Sequence, residues 1–270
     1  MRVRLRASSS WGLLALALML VACGRDASKR TAAPVAADAP DPGYRAAPHV
    51  LDLSRGAEGA LSLSGSAAPS SAVRLVSPAG VSLETTADGS GRWSTPLGPV
   101  SEPTLYGLSA ESDGRRLQAE GYVAILPGAP TVALLRSGAG ALVLDGGRLG
   151  LHILAVDLDG GGAAAVSGRA PAGVPVRVLV DGVQAMQVAP AADGRFSMTL
   201  PKALPPGAHH IQALGAKAAA ETDVMVGPIA PPADGPYRVT AAAGGWRVDW
   251  ITPGGGPQTT LLPASSEPAR

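Results

Sequence analysis

Two long stretches of this 270-residue chain repeat one another at a constant offset of 103 positions, without a gap. Leu63-Ser64-Gly65-Ser66-Ala67 corresponds to Val166-Ser167-Gly168-Arg169-Ala170, and Val73-Arg74-Leu75-Val76 to Val176-Arg177-Val178-Leu179. The same offset carries Gly91-Arg92-Trp93-Ser94 onto Gly194-Arg195-Phe196-Ser197 and Leu108 onto Ile211. A duplication of this length requires a module that folds twice, so each copy must carry its own core. Within a copy the pattern alternates: Val176, Val178 and Val180 fall on one side of an extended chain, and Arg177 and Leu179 on the other. Asp181-Gly182 then supplies the residues a tight hairpin needs, Asp193-Gly194 repeats the signal, and Pro205-Pro206-Gly207 precedes another extended run. Short alternating runs divided by Gly, Pro and Asp predict an antiparallel β-sandwich.

The stretches AVDLDGGGAAAVSGRAPAGVPVRVLVDG, ADGRFSMTLPKALPPGAHHIQAL and EGYVAILPGAPTVALLRSGAGALVL resemble the Ig-like modules of bacterial envelope proteins. The likeness is strongest to proteobacterial proteins that carry such modules before a carboxy-terminal peptidoglycan-binding LysM domain. It covers roughly residues 49–227 and implies an all-β fold of two tandem Ig-like antiparallel sandwiches. Its motifs specify fold rather than activity, since sandwiches host unrelated tasks. No LysM pattern follows the second copy, so peptidoglycan binding does not carry over. In the first copy Ser70-Ser71 stands where the second has Gly173-Val174, which makes the first bend the less typical one. Trp93 and Phe196 occupy the position at which modules of this kind bury an aromatic between sheets, and they are expected in the core.

Ahead of the repeat, Arg2, Arg4 and Arg6 precede an apolar run from Trp11 to Leu20, and Leu20-Val21-Ala22-Cys23 follows. That run is too short to span a bilayer, and its flanks are those of a cleaved segment. The motif resembles a lipobox, and the resemblance implies cleavage before Cys23, a diacylglyceryl thioether on its sulfur and acylation of the new amino terminus. Cys23 is the only cysteine, so no intramolecular disulfide can form. More than one acyl chain makes an anchor durable. Gly24 stands where an aspartate would signal inner-membrane retention by the same resemblance, so the expected address is the outer membrane, facing the periplasm, with surface exposure left open. Residues 1–22 are thus read as a signal peptide with a helical apolar segment. Residues 23–48, rich in Ala, Pro and charge, are read as a flexible tether.

Two sandwich modules are expected at 49–127 and 128–227. Residues 228–270 are read as a proline-rich hinge and a three-stranded meander. In that meander Trp246, Val248 and Trp250 fall on one face and Arg247 and Asp249 on the other. Three readings of the aromatic face stand: Trp246 and Trp250 dock on the second module, or with Tyr237 they form an exposed patch for a partner protein or for stacking on sugar rings, or the segment is disordered.

Lys and Arg number 22 against 21 Asp and Glu, with both signs scattered, which gives no electrostatic footprint for nucleic acid. His209 and His210 are adjacent in an expected strand, so their rings point to opposite sides and cannot grip one metal. Asp157-Leu158-Asp159-Gly160 opens like a calcium loop but lacks the later oxygen ligands and the bidentate glutamate, so a hairpin turn is expected there. No serine sits in a nucleophile elbow and no glycine loop opens a helix. The chain is therefore expected to be no enzyme, to hold no metal and to need no cofactor. The expected role is a lipid-anchored structural spacer or protein-binding scaffold whose membrane contact is Cys23 and whose partner is an envelope protein or glycan. A carbohydrate-binding or adhesion module using the aromatic face is the alternative, and an accessory subunit of an envelope enzyme the third reading.

Overall fold

The computed structural model describes residues 46–56, 60–127, 131–144, 149–242 and 244–264; the expected signal segment and Cys23 lie outside them. Among the described residues there is no helix. The first copy contributes β1 (His49–Arg55), β2 (Leu61–Ser66), β3 (Ala72–Val76), β4 (Ser82–Thr86), β5 (Arg92–Leu97), β6 (Thr104–Ser112) and β7 (Arg115–Leu126). Two further strands follow, β8 (Thr131–Leu135) and β9 (Leu142–Leu144). The second copy contributes β10 (His152–Asp159), β11 (Ala164–Arg169), β12 (Val176–Val180), β13 (Val183–Val188), β14 (Arg195–Thr199), β15 (Gly207–Leu214) and β16 (Ala219–Val226). The carboxy-terminal meander is β17 (Tyr237–Ala242), β18 (Gly245–Ile251) and β19 (Pro257–Pro263).

All pairings are antiparallel, and each copy is an Ig-like sandwich of a three-stranded and a four-stranded sheet. Strands β1-β2-β5 face β4-β3-β6-β7 in the first, and β14-β11-β10 face β13-β12-β15-β16 in the second. The repeat is kept in detail. A bulge between Val50 and Asp52 in β1 recurs between Ile153 and Ala155 in β10. Ala67 N–H bonds Gly91 O at 2.8 Å, and Ala170 N–H bonds Gly194 O at 2.8 Å. Trp93 lies over Gly65 and Phe196 over Gly168; a Cβ at either glycine would overlap the ring and a neighbouring carbonyl. Both rings are buried, as expected.

The copies differ in how their sheets are extended. In the first, β8 and β9 continue the larger sheet into the order β4-β3-β6-β7-β8-β9. In the second, β19, β18 and β17 continue the smaller sheet into β14-β11-β10-β19-β18-β17. These two six-stranded sheets pack face to face around a third core of Leu105, Leu126, Leu135, Val143, Val248 and Trp250 with their smaller neighbours. Each central sheet therefore has a core on both sides. In β7, Val123 and Ile125 belong to the first sandwich and Ala124 and Leu126 to the third core. In β10, Val156 and Leu158 face the second sandwich and Ala155 the third core. A strand covered on both faces needs a continuous apolar run rather than alternation, which is what Tyr122–Leu126, Thr131–Leu135 and Ala141–Leu144 provide. The four sheets form one stack, and residues 45–270 make one compact unit.

The boundary expected between residues 127 and 128 falls between β7 and β8, which are hydrogen-bonded neighbours from Tyr122↔Leu135 to Leu126↔Thr131. Residues 131–144 thus belong by pairing to the first sandwich's sheet, because the edge of β7 is completed by β8 and not by any strand of the second copy. The meander likewise joins the second module by strand addition, β19 pairing β10 from Val156↔Leu261 to Asp159↔Gln258.

Candidate functional site

The aromatic face of the meander is the feature of the sequence that most suggested a surface for binding, and it lies in the third core. Alternation along β18 puts Trp246, Val248 and Trp250 on one face, as expected, and pairing with β17 adds Tyr237 and Val239 to it. Trp250 is 0% exposed. Its ring meets that of Tyr122 from β7 edge to face, with centroids 5.8 Å apart and planes at 84°. Tyr237 and Trp246 are half-buried at the margin of the same core. The expectation of an exposed face formed by Tyr237, Trp246 and Trp250 is corrected here: Trp250 offers no surface to a partner, because the extended sheet of the first module covers it. That cover comes from the first module and not the second, to which the meander is already joined through β10.

A polar network runs through this apolar interface. Trp250 Nε1–H donates to Thr260 Oγ1 at 3.1 Å, and Thr260 donates to Asp157 Oδ1 at 2.6 Å. Asp157 Oδ2 accepts Ala141 N–H from the β8–β9 connection at 2.7 Å, and Gln258 Nε2 stands 3.4 Å from Oδ1. One carboxyl group from the second module thus binds the backbone of the first. Burial raises the pKa of Asp157 above the ordinary carboxylate range, against the opposing pull of these donors and of the Arg136 charge. On the outer face of the meander Asp249 is also buried, and it accepts Thr259 Oγ1 at 2.6 Å, Arg238 Nη2 at 2.8 Å and Arg247 Nε at 2.9 Å. Burial works to raise its pKa, but these donors and the Arg247 charge outweigh it and hold the carboxyl below the ordinary value. The sequence placed Asp157 in a hairpin turn and Asp249 on the face opposite the tryptophans, and gave neither of them buried partners. The available signal was a carboxylate set among apolar strand residues, Val156-Asp157-Leu158 and Val248-Asp249-Trp250.

The remaining candidates for chemistry resolve into structural bonds. Asp159 Oδ1 accepts the N–H groups of Gly161 and Ala163, both at 2.8 Å, closing a hairpin. His209 and His210 point to opposite sides, as expected. His209 is buried, with Nδ1 2.7 Å from Asp181 Oδ2 and Nε2 2.8 Å from Pro205 O. Both ring nitrogens therefore face acceptors, an arrangement that only the imidazolium satisfies in full. Hydrogen bonding to Asp181 raises the His209 pKa, with Pro205 O adding to it. His210 lies outside, 2.7 Å from Asp223 and 3.5 Å from Glu221. Among the described residues no group of three or more His, Cys, Asp or Glu side chains is placed to hold a metal ion.

The fold and this interface define an all-β protein of two tandem Ig-like sandwiches joined through a shared core. No family model matches the chain, and none of the curated proteins does. Among solved structures it is similar to the BSP domain of a biofilm associated protein, at 14% identity and a TM-score of 0.24 over 68% of this chain and 30% of that one. It is also similar to the central fibronectin-III array of RIM-binding protein, at 16% identity and a TM-score of 0.27 over 78% and 74% of the two chains. A third is a Ca2+-stabilized adhesin with which an Antarctic bacterium binds ice, at 13% and 0.22 over 83% and 67%. The chain spans less than a third of the biofilm protein's length. Likenesses of this size carry no argument about function.

Proposed function

We propose that this protein is a lipid-anchored, non-enzymatic scaffold of the bacterial envelope, in which two sandwiches are fused into one rigid block held at the outer membrane through Cys23. The observation that carries the reading is the third core: Trp250, Leu262 and Val248 from the meander pack against Leu126, Leu135 and Val143 from the first module. A flexible string of modules would leave these side chains in water. Burying them instead fixes the geometry between the copies, which is the property a scaffold needs and an enzyme built on one sandwich does not. The anchor rests on the lipobox-like Leu20-Val21-Ala22-Cys23, and the composition of residues 23–48 supports a tether between membrane and block. The aromatic-face route to glycan or adhesion is not carried forward, since the central ring of that face is covered.

The test is fractionation with limited proteolysis. Parent protein should sediment with washed outer membranes and resist high salt, and Cys23→Ala should remain soluble. Trypsin acting at Arg25, Lys29, Arg30 or Arg45 should release a single fragment containing both sandwiches. Cleavage that separates the two sandwiches, or membrane association that survives Cys23→Ala, would contradict the proposal.

A further inference from the structure

Between the edge of the first module's extended sheet and the β11–β14 end of the second module's sheet lies a cleft of about 280 Å³ that the inter-module core does not fill. Arg136, at the end of β8, enters it from one module and Arg195, the first residue of β14, from the other. Its walls are apolar, with Leu142 and Val143 on one side and Leu154 on the other. From these features we infer that the cleft is a binding site for a small carboxylate with an aliphatic stem.

The charge balance points to an anion. Arg136 is braced by the carbonyls of its own turn, Nε donating to Gly140 O at 3.0 Å and Nη2 to Ala139 O at 3.3 Å, so its guanidinium is held in place without a carboxylate. Arg195 Nε is buried and has no hydrogen-bond partner. Its one acidic neighbour in the cleft, Asp193, stands 3.8 Å from Nη1, beyond hydrogen-bond distance, and spends Oδ1 on the Arg195 N–H at 3.0 Å. Asp157 feels the Arg136 charge from the interface but is already engaged by Ala141, Thr260 and Gln258. Among the residues that line the cleft, Arg136 and Arg195 thus stand against one carboxylate, Asp193, which is weakly engaged with Arg195 alone. The buried Arg195 Nε is closed to a ligand, so an anion would meet the outer nitrogens of the two guanidinium groups.

The hydroxyls in the cleft reinforce the selection. Ser167 donates to Ser197 at 3.1 Å and Ser197 donates to Ala139 O at 2.9 Å, so both protons are committed and the arginines are left to bind an anion. A guanidinium pairs best with a planar, two-oxygen acceptor, which favours carboxylate over a compact spherical anion. The apolar walls ask for a hydrocarbon stem behind it, and pockets at module interfaces with few polar groups are common ligand sites. Because one arginine comes from each module, the site exists only while the modules are docked. It adds a ligand to the block and does not depend on how the block is anchored.

The experiment titrates the intact Cys23→Ser protein with hexanoate and follows backbone amides of Gly168 and Ser197 and the arginine Nε–Hε signals by NMR. Hexanol, hexylammonium and sulfate serve as the uncharged, cationic and compact-anion probes. N-acetyl-leucine set against hexanoate separates a peptide carboxyl terminus from a plain fatty chain. Saturable shifts with hexanoate or N-acetyl-leucine, with a Kd on the order of 1 mM, are expected, and much weaker ones with the other three. Arg136→Gln and Arg195→Gln should each weaken binding roughly tenfold, and Arg195→Lys, which keeps the charge but loses the planar fork, should fall between. Equal response to hexanol or sulfate, no saturable response to either carboxylate, or unchanged binding in the glutamine variants would overturn the inference. The probe series needs no variant, so it decides even where a substitution fails to fold.

Discussion

Tyr122 of the first sandwich meets Trp250 of the carboxy-terminal meander edge to face, across a separation of 128 positions in the chain, and this contact sits in the core that joins the two copies. Trp250 is 0% exposed and its Nε1–H is satisfied by Thr260, so truncation removes both packing and an anchor of the Asp157 network. Trp250→Ala should cost about 3–5 kcal/mol, the range for emptying a buried aromatic site. Scanning calorimetry of the parent should show the two sandwiches unfolding together, whereas the variant should show two transitions. A variant that melts as the parent does would remove Trp250 from the account.

The bend at Ser70 can be improved from its own duplicate. Ser70 holds φ at +60°, and Gly173 holds +70° at the matching position of the second copy. A side chain in the left-handed region is strained, and glycine is not. Ser70→Gly should therefore stabilise the first sandwich by about 0.5–1 kcal/mol, after allowance for the greater freedom of glycine in the unfolded chain. Chemical denaturation reads this directly, and a loss of stability would contradict the left-handed assignment.

Trp93 and Phe196 make a second internal comparison. Each ring covers a glycine, but Trp93 Nε1 is buried without an acceptor, and Phe196 has no such group. Trp93→Phe removes an unsatisfied donor while giving up part of a ring, so the two effects oppose and the net change should stay within about 1 kcal/mol. Trp93→Ala should cost about 3–5 kcal/mol in the same assay.

His209 gives the protein a pH dependence of definite sign. Its folded pKa is raised above the unfolded value by Asp181 and by Pro205 O. The stabilisation is therefore fully present below the unfolded pKa, about 6.5, and is lost as pH rises through the raised folded value. Melting temperatures across neutral to mildly alkaline pH should fall more steeply for the parent than for His209→Gln. His210, exposed and beside Asp223 and Glu221, shifts in the same direction, so His210→Gln is the control that isolates the buried ring. Parallel curves for parent and His209→Gln would contradict the imidazolium bridge.

Much of this architecture is legible in the residues. The offset between Gly91-Arg92-Trp93 and Gly194-Arg195-Phe196 appears in space as the same turn, the same left-handed glycine and the same covered glycine beneath the ring. Alternation sorted Trp246, Val248 and Trp250 from Arg247 and Asp249 correctly. Alternation states which residues share a face and not what covers it. The cover here comes from β7 to β9, more than a hundred positions away, and nothing local to the meander encodes that pairing. The continuous apolar runs Tyr122–Leu126 and Thr131–Leu135 were the clue to strands buried on both faces. They were compatible with either module, and only the β7–β8 ladder assigns them to the first. Asp157 and Asp249 were legible only as a turn residue and an outward-facing residue, because their burial and their donors come from distant strands.

If the third core locks the two sandwiches into one body, a distance measured across it has a single value. Spin labels at Val81→Cys and Val183→Cys, both exposed and on opposite modules, would be measured by double electron–electron resonance in the Cys23→Ser background. One narrow distance distribution is expected, and it should broaden when Trp250→Ala is added. A broad distribution in the protein that retains Trp250 would mean that the modules move independently, and would contradict the shared core.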